Sequence, residues 1–137
     1  MRPERLRMSY KPVRKNNAKR DVEIQFLESV NRRIPDHLLA LKALGDLYTT
    51  SGRIEEGLDV DKKLSSLCPD DALVWYNLGC SLSLTGANDE ALEALQQAVR
   101  LGYSDSAWMR KDEDLQTLRH DPRFKDILLQ IDLSLAD

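Results

Sequence analysis

The residues able to do chemistry in this chain are few and scattered. His37 and His120 lie in separate predicted elements, each at a predicted helix boundary, and neither falls in a metal-binding spacing such as H-E-x-x-H. Cys68 and Cys80 fall in two different predicted helices. Helical rise separates them by more than a disulfide can span, so they read as buried or groove-lining thiols of a reducing compartment. Cys80 would act as a nucleophile only beside a histidine, and nothing in the sequence places one there. Asp112, Glu113 and Asp114 are three consecutive acids at a predicted helix start, where capping and the helix dipole favour them. No glycine loop has the spacing of a phosphate cradle. The inventory predicts no catalytic residue, no metal ligand and no cofactor.

The elements that position these residues follow from a repeat. At an offset of 34 residues, Leu39 recurs as Leu73, Leu44 as Leu78, Gly45 as Gly79 and Gly52 as Gly86. Glu56 recurs as Glu90, Leu58 as Leu92, Leu67 as Leu101 and Asp71 as Asp105. Roughly two such identities are expected by chance from ordinary composition. A fixed period of this length marks stacked helical repeats. Leu41, Leu44, Leu47 and Tyr48 form one apolar helix face, stopped by Gly52. Ile54, Leu58, Leu64 and Leu67 define a second helix that ends before Pro69. Asp70 or Asp71 caps the third, in which Trp75, Leu78 and Leu82 make the face. Gly86 ends that helix, and Leu92, Leu95, Val99 and Leu101 mark the fourth. Gly45 opposite Gly57, and Gly79 opposite Ala91, would let paired helices approach closely, offsetting the cost of about 1 kcal/mol that a helical glycine carries.

Residues 38–105 resemble two tetratricopeptide repeats. The first carries Leu41, Leu44-Gly45, Tyr48, Gly57, Leu64 and Pro69; the second carries Trp75, Leu78-Gly79, Leu82, Ala91, Leu95 and Ala98. The first departs from the family pattern at Gly57, Asp61 and Leu64, and the second lacks the proline at Tyr103. The resemblance implies an all-α fold of antiparallel helix hairpins, an α-solenoid with helical caps. Residues 21–36 read as a half-repeat, with Phe26, Leu27 and Val30 packing on the first hairpin. Residues 38–71 and 72–105 are the two full repeats. The repeat breaks over 106–137, where Asp112 and Glu113 replace the Leu-Gly pair. Asp112 and Asp121 look like caps of two further helices, the last with Phe124, Ile127, Leu128 and Ile131 on its apolar face. This tail is similar to those of bacterial repeat proteins, and reads as an atypical cap.

The resemblance also implies a binding surface: in the family, the first helix of each hairpin lines a concave groove. Lys42, Asp46 and Thr49 would face it from the first repeat, Tyr76, Asn77, Cys80 and Ser83 from the second, and Arg110 and Lys111 from the third. Some family members clamp a peptide's C-terminal carboxylate with a lysine, two asparagines and two basic residues. Lys42, Asn77 and Lys111 match those places, whereas Asp46 and Ala107 depart from them, and Asp46 would repel a carboxylate. An unspecified peptide or helix in the groove is the favoured ligand, with Tyr76 as its expected anchor.

Charge is uneven. Residues 1–20 hold Arg2, Arg5, Arg7, Lys11, Arg14, Lys15, Lys19 and Arg20 against Glu4, a net of +7; residues 21–137 carry a net of −10. The segment 1–20 reads as a flexible basic arm, either solvated or in contact with an acidic partner, nucleic acid or an anionic surface. No apolar run is long enough to span a membrane and no secretory leader is evident. Together these readings predict a cytoplasmic protein-binding scaffold or adaptor. A basic-arm adaptor and a self-associating structural subunit are the alternatives.

Overall fold

The protein is described by a computed structural model covering residues 17–136. Among the described residues it is all helical: α1 (Asn17–Arg33), α2 (Leu38–Thr50), α3 (Ile54–Leu67), α4 (Ala72–Leu84), α5 (Asn88–Arg100), α6 (Ser106–Lys111), a 3-10 helix (Glu113–Leu118) and α7 (Pro122–Ala136). Successive helices α1 to α5 pack in adjacent pairs, α7 packs on α5 and α6, and the 3-10 helix packs on α4.

The 34-residue repeat is reproduced down to the hydrogen bonds that end the helices. After α2, Gly52 N–H donates to Thr49 O and Arg53 N–H to Tyr48 O; after α4, Gly86 N–H donates to Ser83 O and Ala87 N–H to Leu82 O. Both glycines hold φ near +84° (83° and 84°), the left-handed conformation in which a helix-ending glycine costs least. The starts of α2 and α4 are capped by side chains at the predicted boundaries. His37 Nδ1 accepts from Ala40 N–H, and the Asp71 carboxylate accepts from Leu73 and Val74.

Close approach within each hairpin rests on small residues, as the sequence predicts. A Cβ on Gly57 would lie 2.5 Å from Thr49 Oγ1, and one on Gly79 would lie 2.8 Å from Leu95 Cδ2 and 3.3 Å from Ala91 O. Between the repeats, Ser81 donates 2.5 Å to Asp61, a fully buried carboxylate at one of the positions where the first repeat departs from the tetratricopeptide pattern. The larger apolar core joins α4 to α7, and smaller clusters link α1, α2 and α3.

Three features differ from the sequence reading. Helix α1 begins at Asn17, so Lys19 and Arg20 belong to it, and Arg20 is buried. Arg2, Arg5, Arg7, Lys11, Arg14 and Lys15 lie outside the described residues. Phe26 does not pack inward: Ile24 and Leu27 take the contacts with Leu44, Leu47 and Tyr48, and Phe26, two residues from Ile24, falls on the opposite face. Asp112 caps a 3-10 helix instead of an α-helix.

Gly79→Leu should separate α4 from α5. Thermal or chemical denaturation is expected to show a loss on the order of 1–3 kcal/mol or more; an unchanged melting curve would contradict the close-packing account.

Candidate binding surface

The inner helices α2 and α4 meet different environments. From α2, Lys42 is exposed and reaches Asp71 at 3.5 Å. Asp46 is half-buried, and Thr49 is buried, donating 3.0 Å to Gly45 O. From α4, Tyr76, Asn77, Cys80 and Ser83 are all buried, Tyr76 and Cys80 completely. The chain's own C-terminal segment covers this face.

The cover is organised by Asp112. This fully buried carboxylate follows α6, and its Oδ2 accepts from Tyr76 OH at 2.6 Å, Trp108 Nε1 at 3.1 Å and Cys80 Sγ at 3.7 Å. Its Oδ1 accepts from Asp114 N–H at 3.0 Å. A buried carboxylate is costly unless donors surround it, and here they come from α4, α6 and the 3-10 helix. The Tyr76 ring stacks on Tyr103, centroids 4.3 Å apart and nearly parallel. Burial, reinforced by the negative charge of Asp112, raises the Tyr76 hydroxyl far above its ordinary value. It therefore stays a donor.

Further contacts seal the edge. Ser83 Oγ and Thr117 Oγ1 are 3.0 Å apart, and Leu115 and Leu118 are fully buried. The Arg119 guanidinium donates to the carbonyls of Arg110 and, at 2.7 Å, Asp112. Arg110 and Ser106 both donate to Asp132, at 2.5 and 2.6 Å, clasping α6 to α7. The Arg110 guanidinium, followed by the Ser106 hydroxyl, holds the Asp132 carboxyl below its ordinary value.

The predicted site is therefore divided. Lys42, Arg110 and Lys111 are exposed, with Lys111 Nζ 5.9 Å from the Trp108 ring centroid. Tyr76, Cys80 and Ser83, expected to face the groove, instead contact the protein's own cap. Tyr76 thus holds the cap, and its burial removes it as a partner anchor. Buried Asn77 likewise does not stand open for a peptide carboxylate. Sequence reasoning missed Trp108, Leu115 and Leu118 as the roof over α4. The usable signal was the apolar pair Leu115 and Leu118 at the three-residue step of a 3-10 helix, directly after the acid that breaks the repeat.

Two other arrangements of reactive groups have structural explanations. Cys80, Asp112 and Asp114 offer ligand atoms within 4.8 Å of one another, but the Asp112 oxygens are already taken by protein donors. His37 spends Nδ1 on the α2 cap, and His120 sits exposed beside Lys111, Glu113, Gln116 and Arg119 in an open, mixed-charge surface cleft. No described helix is long and apolar enough to cross a membrane.

No family model matches the chain. It is similar to a chloroplastic protein of Arabidopsis thaliana, 34% identical over 93 residues that make up 66% of this chain and 28% of that protein. It is also similar to the Protein CTR9 homolog of Arabidopsis thaliana (38% over 74 residues; 54% of this chain, 7% of that one). A third match is the Peroxisomal targeting signal receptor of Candida albicans (34% over 58 residues; 42% and 10%). The chain thus spans only a small part of each relative's own length. The likeness to the last two supports tetratricopeptide-like helical repeats in this chain and a general protein-binding role.

Tyr76→Phe deletes one donor to Asp112 and should lower the unfolding free energy by about 1–3 kcal/mol. Asp112→Ala, which strands both Tyr76 OH and Trp108 Nε1, should cost more. Equilibrium urea denaturation checks both, and parent-like midpoints would contradict the assigned role of Asp112.

Proposed function

We propose that this chain is a tetratricopeptide-type interaction module that holds an acidic segment of a partner protein and performs no chemistry of its own. The observation that carries this reading is the exposure of Lys42 and Lys111, two cations expected to line the inner face. The cap covers Tyr76, Cys80 and Ser83, whereas Lys42 and Lys111 remain at the surface and Arg110, also exposed, is held by Asp132. These cations stand out on a body whose net charge over residues 21–137 is −10. Such a surface favours carboxylate-bearing ligands. Half-buried Asp46, one helical turn after Lys42, sets the edge of that preference by disfavouring an acid placed next to it. The receptor named among the relatives supports a binding role. The two free thiols fit a cytoplasmic setting.

Lys42 and Lys111 are exposed, and the Lys42–Asp71 contact is a surface pair, worth little to stability. Lys42→Glu with Lys111→Glu should therefore fold normally. In a selection from random peptides, the parent should enrich Asp- and Glu-containing sequences. Titration of those peptides by calorimetry or fluorescence anisotropy should show the double variant binding at least about tenfold more weakly, with the difference shrinking as salt is raised. Selected peptides without acidic residues, or equal affinity for the double variant, would overturn the proposal.

A further inference from the structure

An acid that recurs at the 34-residue offset is neutralised in the first repeat and not in the second. On α3, Glu56 accepts from Arg53 Nε and Nη2, each at 2.7 Å. Its counterpart on α5 is Glu90, and Ala87 stands where Arg53 would be. Glu93, one turn further on, is exposed like Glu90. Neither carboxylate has a hydrogen bond or ion pair with a described residue. Both line a cleft of about 370 Å³ between α4 and α5. Leu78, Leu82 and Ala94 are buried at its floor, and half-buried Trp75 lines it near the start of α4, its Nε1 donating 2.8 Å to Pro69 O. Arg100, bonded to Gln97, stands at that same end. The cleft is therefore an apolar trough that is acidic where α5 begins.

The chain's own basic excess lies in residues 1–16, outside the described residues: Arg2, Arg5, Arg7, Lys11, Arg14 and Lys15 against Glu4. This segment joins the stack at the acidic end of the cleft. The pairs Arg53–Glu28 and Lys63–Asp36 set α1 parallel to α3, and the repeat sets α3 parallel to α5. Helices α1 and α5 thus begin, at Asn17 and Asn88, on one side of the stack. By ordinary helix spacing α5 lies about 20 Å across from α1. Arg7 is ten residues before Asn17, an extended reach of about 33 Å. In an extended chain Arg5 and Arg7 fall on one side about 7 Å apart, with Leu6 and Met8 on the other. Glu90 and Glu93, three apart on a helix, stand about 5–6 Å apart. The two spacings match.

We infer that residues 1–16 dock on the cleft of their own chain, Arg5 and Arg7 meeting Glu90 and Glu93. The arm would supply in the second repeat the cation that Arg53 supplies in the first. Guanidinium and carboxylate form the stronger, charge-assisted class of hydrogen bond, and alternation turns Leu6 toward the α4 wall of the trough. Lys42 and Lys111 take no part, so this contact is independent of the peptide-binding reading.

Paramagnetic relaxation in the full chain tests the inference. In a Cys68→Ser background, a nitroxide on Ser9→Cys should broaden the amide signals of residues 88–94, while Cys80, buried under the cap, stays unlabelled. The loss of intensity should disappear in Arg5→Glu with Arg7→Glu, and in Glu90→Arg with Glu93→Arg. It should return when all four changes are combined, and fade as salt is raised. Glu90 and Glu93 are exposed, so the α5 variant should fold; if it melts early, the arm variant decides alone. Broadening that is absent, confined to α1, or retained in the arm variant overturns the proposal. So does equal broadening when nitroxide and isotope label sit on different chains, which would place the segment on a second copy.

Discussion

The arrangement depends on one buried carboxylate. Asp112 has no access to water, so its charge must be met by protein donors. Tyr76 and Cys80 of α4, Trp108 of α6 and the Asp114 amide meet it. These donors come from three elements, and gathering them on one side chain brings the three together. Satisfying Asp112 therefore lays the 3-10 helix across α4. Leu115 and Leu118 are buried in the same arrangement, which adds apolar burial to the polar tie.

The consequence is an asymmetric surface. Two repeats closely related in sequence present different inner faces. On α2, Lys42 is exposed and Asp46 half-buried; on α4, the inner face is spent on intramolecular contacts. A repeat stack that must end somewhere has to cover the apolar inner side of its last hairpin. This chain does so with its own tail, which leaves less of the inner face exposed. Buried polar groups in the cap also explain its side-chain choices. Tyr76 and Trp108 each combine a large apolar body with one donor that finds a partner, and Arg119 donates to the Arg110 carbonyl at the end of α6 and to the Asp112 carbonyl, which also accepts from Leu115 N–H.

The repeat is legible in the sequence because its determinants are local. Gly52 and Gly86 fix the same left-handed turn by backbone chemistry alone, and Gly57, Gly79 and Ala91 fix helix spacing by lacking bulk. Asp71 and Asp121 can be read as caps because a cap acts within a few residues. Helix α1 is only partly legible: Phe26, Leu27 and Val30 have one-face helical spacing, yet the buried face is set by Ile24 and Leu27, and Phe26, two residues from Ile24, is left exposed. The closure of the α4 face is illegible because it is a contact between residues 36 apart in sequence, Tyr76 and Asp112. Nothing in the composition of either segment announces that pairing. The acids at 112–114 read as a helix start, which is correct for the Asp112–Asp114 backbone bond. The second use of the same side chain, as an acceptor for α4 and α6, needs the fold.

Thiol accessibility tests the closure most directly, because Cys80 lies on the covered face of α4 and Cys68 lies partly exposed at the end of α3. In a Cys68→Ser variant, Cys80 should react with a maleimide or an aromatic disulfide reagent at least about a hundredfold more slowly than in the urea-unfolded chain, since it must wait for the cap to open. Replacing Asp112 by alanine in that background should speed the reaction. Native Cys80 that reacts as fast as the unfolded thiol would show an open groove and contradict the account.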